Sequence, residues 1–399
     1  MRHTTEDIVT QKTVRLFGFG ILLIACLTVC AEAKKEGANP ENTPALEREE
    51  GVRTRAETDG RINAAKGDYN FKCLTVDDEG LAHHLKGQTN VVHVNLAWQK
   101  ISDNGLRPLA SLEHLEDLNI RGTQITDDGL VHLSELCRVK CLWLAETQIT
   151  GKGLTHLKGL KSLRELNLDN TQVSGSGLTS LQTLPDLQFL SLTSTPITDA
   201  DFEYLKGLVE LQDLCLSQTE INGAGLAHLK DSNKLQNLHL GYTKVTDANL
   251  EHLKGRTNLQ MLLLFHTPIT DVGVAHLKGL VGLTRLDLSN TKISDKAMES
   301  LRGLTRLSDL GLGETAITDE GLKHIAELSG LESLDLRGTK VTDAGLKHLN
   351  GLHKLSIIYV EDTAVTSSGI KELRRALPNM RADIELPILD IKRWKPVKE

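Results

Sequence analysis

The hydrophobic positions of this chain recur every 24 residues over most of its length. In residues 259–282 the leucines follow the spacing L-x-x-L-x-L, a threonine comes three residues later, and an Ile-Thr-Asp segment precedes apolar residues at i, i+3 and i+6. Alternation over L-x-L predicts a short β-strand whose leucines point inward. The Thr-Asp pair is typical of a helix start, and Lys-Gly of a helix end. Each unit is therefore predicted to contain one strand and one helix.

Twelve such units follow one another without an insertion. They begin at Val91, Leu115, Val139, Leu163, Leu187, Leu211, Leu235, Leu259, Leu283, Leu307, Leu331 and Leu355. A fixed period of this length indicates a solenoid, in which each unit packs only on its neighbours. Because helices are about 10 Å wide and strands lie about 4.8 Å apart, the array must curve with its strands on the inside. We expect an α/β solenoid, a curved horseshoe with a parallel β-sheet on the concave face and helices on the convex face.

The regions that flank the twelve units have patterns of their own. Residues 67–90 hold a degenerate unit in frame with the others, which is predicted to cap the N-terminal end. The regular units fill residues 91–378, and residues 379–399 are predicted to form a C-terminal cap and a basic tail. Such caps are expected because a solenoid must cover its open ends. Residues 34–66 are charged and polar, and we expect a flexible spacer there.

The N-terminal 33 residues have the pattern of an export signal. Basic residues precede an apolar run, and Ala31-Glu32-Ala33 is similar to a signal peptidase site. The segment that ends at Cys26 is also similar to a lipobox, in which the cysteine would be lipidated. An uncleaved anchor is a third interpretation, although the apolar run is short for a bilayer span. All three interpretations predict a protein outside the cytoplasm, in the bacterial periplasm, on the cell surface or secreted.

The overall charge and the cysteine pattern exclude two classes of function. The formal net charge is -7 and the pI is about 6.1, which disfavours binding to nucleic acids. Cys73, Cys137, Cys141 and Cys215 show no C-x-x-C spacing, so we expect mostly free thiols and no zinc site. A histidine recurs on the predicted helices, but neighbouring helices are too far apart for two imidazoles to share one metal. No cofactor is expected.

The repeated motif L-x-x-L-x-L-x-x-T-x-I-T-D-x-G-L-x-x-L resembles the leucine-rich repeat family, and the resemblance covers about 290 residues. It is similar to 24-residue bacterial repeats of the GALA type and to the repeats of F-box proteins. Those relatives usually have Asn or Cys where this chain has Thr. The resemblance implies a horseshoe that binds a protein. It also implies an alternative function, as the substrate-recognition adaptor of a ubiquitin-ligase-like complex, although no F-box-like segment precedes the repeats.

The outward positions of the predicted inner sheet concentrate aromatic and acidic residues. They hold six of the eight aromatics of the array, and alternation turns these side chains away from the leucine core. Eleven acidic residues stand in the same positions, against three arginines and no lysine. Exposed aromatics are common anchors of protein interfaces, and an acidic surface favours a partner with basic groups. General solubility is the alternative explanation of the acidic residues.

The seventh and eighth units together carry an apolar island on this inner face. It is formed by Tyr242, Met261, Leu263, Phe265 and His266. We interpret the island as a binding centre, while an uncovered tolerant patch and a self-association face stay open. The predicted partner-binding residues are Trp98, Trp143, Phe189, Asp213, His239, Tyr242, Met261, Leu263, Phe265, His266, Arg285 and Asp287.

Cys215 and His239 occupy the same strand position in consecutive units, so their side chains are expected to lie about 5 Å apart. A thiolate and an imidazole at that distance could form a nucleophilic dyad or half of a metal site. Ser191 and Leu263, on either side, supply no third ligand, and no glycine-rich oxyanion loop is present. A thiol enzyme is therefore the least favoured of the functions considered.

Two predicted helices behind the island lack the leucine that closes most other units. Ser232 and Arg256 stand in its place. We therefore expect looser packing and faster amide exchange across residues 228–258 than in the flanking helices.

These patterns together favour an exported, non-enzymatic scaffold that recognises a protein on its concave face. We expect a monomer that contacts a membrane only through its N-terminal segment. The adaptor and the thiol enzyme are the alternatives.

Overall fold

The structure is a computed structural model that describes residues 62–63, 66–71 and 75–380. The predicted signal peptide with Cys26, most of the predicted spacer, Cys73 and the tail from residue 381 lie outside the described residues. Within the described ranges, no helix is long and apolar enough to cross a membrane.

The described strands form one sheet of fourteen strands that lie in the order of the sequence. The first pair is antiparallel, and the others pair in parallel with a register of one unit, so that Leu262 lies beside Leu238 and Leu286. The strands are β1 Ile62–Asn63, β2 Asp68–Asn70, β3 His93–Asn95, β4 Asp117–Asn119, β5 Cys141–Trp143, β6 Glu165–Asn167, β7 Phe189–Ser191, β8 Asp213–Cys215, β9 Asn237–His239, β10 Met261–Leu263, β11 Arg285–Asp287, β12 Asp309–Gly311, β13 Ser333–Asp335 and β14 Ile357–Tyr359.

The other face of the solenoid consists of short helices, which are of two kinds. The α-helices are α1 Asp78–Leu85, α2 Asp271–Ala275, α3 Asp295–Leu301, α4 Asp319–Ile325, α5 Asp343–Leu346 and α6 Ser367–Ala376. The 3₁₀ helices are Asp103–Ser111, Gly129–Leu133, Gly153–Gly159, Gly175–Thr183, Asp199–Tyr204, Ala224–Leu229, Ala248–Leu253 and Lys347–Gly351. The 3₁₀ form was not predicted, and it suits leucines spaced at i, i+3 and i+6 because three residues per turn align them on one side. The predicted curved α/β solenoid is confirmed.

A continuous hydrophobic core runs between the sheet and the helices. The middle residue of each three-residue strand is buried, as Leu262 is in β10, whereas its neighbours point to the concave side. Behind it, Ile269, Val274 and Leu277 are completely buried. The threonine column has the structural role that its position suggests, since Thr267 Oγ1 donates to the carbonyl oxygen of Leu264 at 2.5 Å. Equivalent bonds recur along the column.

The aspartate that follows Thr or Ser in most units joins consecutive units, a role that the helix-cap interpretation did not include. Thr270 does cap its helix, accepting from the amide of Val272 at 3.2 Å. However, Asp247 of the preceding unit accepts from both the amide and the hydroxyl of Thr270, at 2.8 and 2.6 Å. A Cβ atom on Gly273 would lie 2.3 Å from Asp247 Oδ1, so this carboxylate explains the glycine of the Asp-x-Gly motif. The same aspartate link recurs at Asp103, Asp127, Asp271, Asp295, Asp319 and Asp343.

The helices around residues 228–258 contain a polar link where looser packing was expected. Ser232 is buried and donates to the carbonyl of Leu208 at 3.3 Å. The guanidinium of Arg256 donates to the carbonyls of Leu229 at 2.5 Å and Ser232 at 3.2 Å, and burial lowers the pKa of Arg256. The missing leucines are therefore replaced by hydrogen bonds that tie adjacent units together.

Candidate functional site

The predicted apolar island lies on the concave face, where β9 and β10 pair side by side. Met261 is the register partner of Asn237, and Leu263 is the partner of His239. Met261, Leu263 and Phe265 are partly buried, whereas Tyr242 is 38% exposed and His266 is also exposed. The structure thus brings the members of the island together on one surface.

The third residue after the end of each strand from β3 to β14 adopts a left-handed backbone, and this was not predicted. Tyr242 has φ 56° and His266 has φ 54°. Gly122 and Gly338 occupy the same position in other units, with φ 67° and 65°. Glycine takes this conformation without cost, whereas bulky side chains rarely adopt it. The two glycines were the sequence signal that could have revealed the conformation.

Tyr242, Phe265 and His266 form an aromatic cluster. The Tyr242 and His266 rings stack, with centroids 4.2 Å apart and planes 11° apart. Phe265 stands edge-to-face against Tyr242, at 5.4 Å and 89°. The Phe265 ring covers Gly241, since a Cβ atom there would lie 2.5 Å from the ring. Adjacent units therefore interlock, and the three rings support one another in fixed orientations.

The charges around the aromatic cluster are mostly acidic. Partial burial lowers the pKa of His266, while the nearby carboxylates of Asp287 and Glu314 act to raise it. Burial also raises the pKa of Tyr242. Arg285, on the next strand, lies 3.9 Å from Asp309.

Two of the acidic side chains that were predicted to contact a partner instead form hydrogen bonds within the fold. Asp287 accepts from the amide of Ser289 at 2.9 Å, and burial raises its pKa. Its carboxylate lies over Gly311, where a Cβ atom would be 2.4 Å away. Asp213 is hydrogen-bonded to Asn237, and burial raises its pKa too. Asp213 and Asp287 are therefore engaged by other groups of the fold and are less available to a partner than their outward strand positions suggested.

Cys215 and His239 are neighbours, as predicted, but they lie beneath the concave surface. They are only 4% and 6% exposed. Cys215 Sγ is 3.2 Å from His239 Nδ1, and His239 Nε2 is 3.2 Å from Met261 Sδ. A neutral imidazole satisfies both contacts when Nδ1 accepts from the thiol and Nε2–H donates to the thioether. His239 was predicted to contact a partner, but Met261 and the neighbouring side chains bury its ring, so the ring presents little surface for such a contact.

The environment of this pair opposes both thiol chemistry and metal binding. Burial raises the pKa of the Cys215 thiol, so the nucleophilic thiolate is disfavoured. Burial, with Arg285 nearby, lowers the pKa of His239 to about 4. Cys215 Sγ lies at Nδ1 and Met261 Sδ lies at Nε2, so the two sulfurs are on different sides of the ring. A metal ion bound at either nitrogen therefore could not have both sulfurs as ligands. In the part of the chain that the structure describes, no group of three or more His, Cys, Asp or Glu side chains is placed to hold a metal ion.

The remaining predicted aromatics form two smaller groups, separate from the aromatic cluster. Trp98 is 45% exposed, has φ 65° and lies over Gly122, with the Arg121 guanidinium 5.5 Å from its ring centroid. Arg121 in turn pairs with Glu146 at 2.6 Å. Trp143 and Phe189 are 6.0 Å apart and tilted. The structure thus divides the predicted binding residues among three patches.

Comparisons with known proteins agree with the observed architecture. A leucine rich repeat family model matches residues 257–317, and a second one matches residues 111–134 and 330–349. No curated protein matches the sequence. The structure is similar to an internalin from Listeria monocytogenes, with a TM-score of 0.59 and 23% identity over 77% of this chain and 94% of the internalin.

A second structural likeness is to the functional domain of InlJ from Listeria monocytogenes. The TM-score is 0.51 and the identity 19%, over 71% of this chain and 55% of that one. At such identities, both likenesses concern the fold.

Proposed function

Because this chain belongs to the leucine-rich repeat family, a scaffold consistent with protein binding, we propose that it binds a protein through the aromatic cluster on its concave face. One observation carries the proposal: Tyr242 and His266 stack on each other from left-handed backbone positions. The left-handed backbone itself is a regular feature of the repeat, since Gln218 and Asn290 adopt it in the flanking units. The two stacked rings that it carries are what distinguish these two units.

The arrangement of the rings suits an interface anchor. Aromatic side chains dominate the energetics of protein interfaces because they bury a large area with few rotatable bonds. The contacts among Tyr242, Phe265 and His266 fix their orientations before a partner arrives, which reduces the entropy lost on binding. The neighbouring carboxylate of Glu314, on an exposed side chain, favours a partner with basic groups beside its apolar contact.

The proposed location is outside the cytoplasm, and it rests on the pattern of residues 1–33 alone. Lipidation at Cys26 would attach the scaffold to a membrane, and signal cleavage would release it. We further propose that the scaffold has no catalytic activity of its own. The buried Cys215 thiol, which burial keeps protonated by raising its pKa, supports this part of the proposal.

Affinity capture with two matched variants tests the proposal. Full-length wild type, Tyr242→Gly and Gln218→Gly are immobilised and exposed to cell-envelope and secreted fractions of the source organism. Both variants place glycine at a left-handed position, since Gln218 has φ 58°, but only the first removes an aromatic ring. We expect a captured protein to be lost with Tyr242→Gly and retained with Gln218→Gly. Equal capture by all three proteins would contradict the proposed site.

A further inference from the structure

Met261 differs from the other described methionines in its exposure. Met298 and Met380 are buried, at 1% and 5% exposure, whereas Met261 lies on the concave side of β10 and is partly exposed. Its neighbours include Leu263 on the same strand and His239 on β9. A thioether on a partly exposed side chain at the centre of an apolar surface is a position where a chemical change would alter that surface.

We propose that Met261 is an oxidation site, at which a peroxide converts the thioether to a sulfoxide and thereby weakens binding at the aromatic cluster. A sulfur lone pair attacks one peroxide oxygen, an S–O bond forms and the O–O bond breaks. The other oxygen leaves as water when the oxidant is hydrogen peroxide. Sulfur is oxidised by two electrons and the peroxide is reduced by two. The effect on binding rests on the proposed function, whereas the oxidation itself does not.

The contact with His239 leaves the sulfur able to react. A thioether sulfur has two lone pairs, and His239 Nε2, 3.2 Å from Sδ, engages one of them. Cys215, which would otherwise compete for the oxidant, is only 4% exposed. Of the two described sulfur side chains at the island, Met261 is therefore the more exposed to an oxidant in solution.

A sulfoxide at this place is incompatible with a buried apolar contact. The new oxygen is a strong hydrogen-bond acceptor, and it forms on the lone pair that His239 Nε2–H does not engage, so it faces away from that donor. Leu263 and Phe265 offer it no side-chain donor either. A partner that closes over the island must strip water from that oxygen. We expect the affinity to fall by about tenfold or more, from the cost of burying a polar group without a new bond.

The oxidation is tested on the full chain by peroxide titration and peptide mass mapping. The titration uses a Cys137→Ser background, because Cys137 is an exposed thiol that would consume oxidant. We expect Met261 to be oxidised at least about tenfold faster than Met298 or Met380, since accessibility governs the reaction. Equal rates at the three positions, or slower oxidation of Met261, would overturn the proposal.

The effect on binding is measured as the ratio of affinities after and before oxidation. In the Cys137→Ser protein this ratio should be about one tenth or less, and treatment with methionine sulfoxide reductases should return it to one. In the Cys137→Ser, Met261→Leu protein the ratio should stay near one. Selective oxidation of Met261 with an unchanged affinity would overturn the proposed effect of oxidation on binding. The proposed function fails by a different result, namely equal binding by Tyr242→Gly and wild type before any oxidation.

Discussion

The burial of His239 gives the stability of the protein a specific dependence on pH. His239 is neutral in the folded protein, and burial lowers its pKa from 6.5 to about 4. Between these values the unfolded chain binds a proton that the folded chain excludes. The contribution of neutral, buried His239 to the free energy of unfolding is therefore complete above pH 6.5 and is lost as the pH falls towards 4. The difference in pKa corresponds to roughly 3 kcal/mol of unfolding free energy.

Guanidinium unfolding between pH 7.5 and pH 4 measures this effect when wild type is compared with His239→Leu. Leucine is a suitable replacement because Leu263 occupies the equivalent position on the next strand. Burial raises the pKa of Asp213 and Asp287, but those groups titrate in both proteins and their contribution cancels in the comparison. We expect wild type to lose about 3 kcal/mol more than the variant over this range.

A difference below about 1 kcal/mol would refute the assignment of a buried neutral imidazole. A direct NMR titration of the His239 ring supplies an independent check. Its midpoint should lie near pH 4. A midpoint close to 6.5 would mean that the ring is solvated and free to contact a partner.

Two further predictions concern the links between units. Gly273→Ala should destabilise the protein by about 1–3 kcal/mol, because the new Cβ would lie 2.3 Å from Asp247 Oδ1, and thermal unfolding measures the loss. In an Asp247→Ala background the same change should cost far less, and equal costs in both backgrounds would contradict the steric explanation. Arg256→Ala should leave two carbonyls without their donor and speed amide exchange across residues 228–258, as measured by mass spectrometry. Unchanged exchange would show that the guanidinium does not hold these units together.

Most of the fold was predictable because the same buried positions recur in every unit of the sequence. Leucines at L-x-x-L-x-L can be buried together only if each strand pairs with the equivalent strand of the next unit, and the register of Leu238, Leu262 and Leu286 follows from that. The aspartate links were missed because helix caps and links between units use the same Thr-Asp sequence. The difference depends on whether Asp247 faces its own helix or the next unit.

The sequence predicted which residues lie at the candidate site. It did not predict how deeply each side chain is buried or which backbone conformation carries it. Strand alternation places Met261 and His239 on the outward side, but it does not state which outward side chain covers another. Met261 and its neighbours cover His239, so this predicted contact residue lies beneath the surface that a partner would meet. The left-handed turn at Tyr242 was missed because the sign of φ leaves no mark in the sequence except where glycine is chosen, as at Gly122.

In the proposed function, the aromatic cluster supplies the binding energy of a protein interface. The most direct test of this role is the equilibrium dissociation constant of the captured partner, measured with wild type, Tyr242→Gly and Gln218→Gly after circular dichroism shows equal folding. Loss of an interface anchor of about 2 kcal/mol predicts a roughly thirtyfold weaker complex for Tyr242→Gly, with Gln218→Gly within about twofold of wild type. Equal affinities for all three proteins would contradict the claim and move the search for the interface to the patches around Trp98 and Trp143.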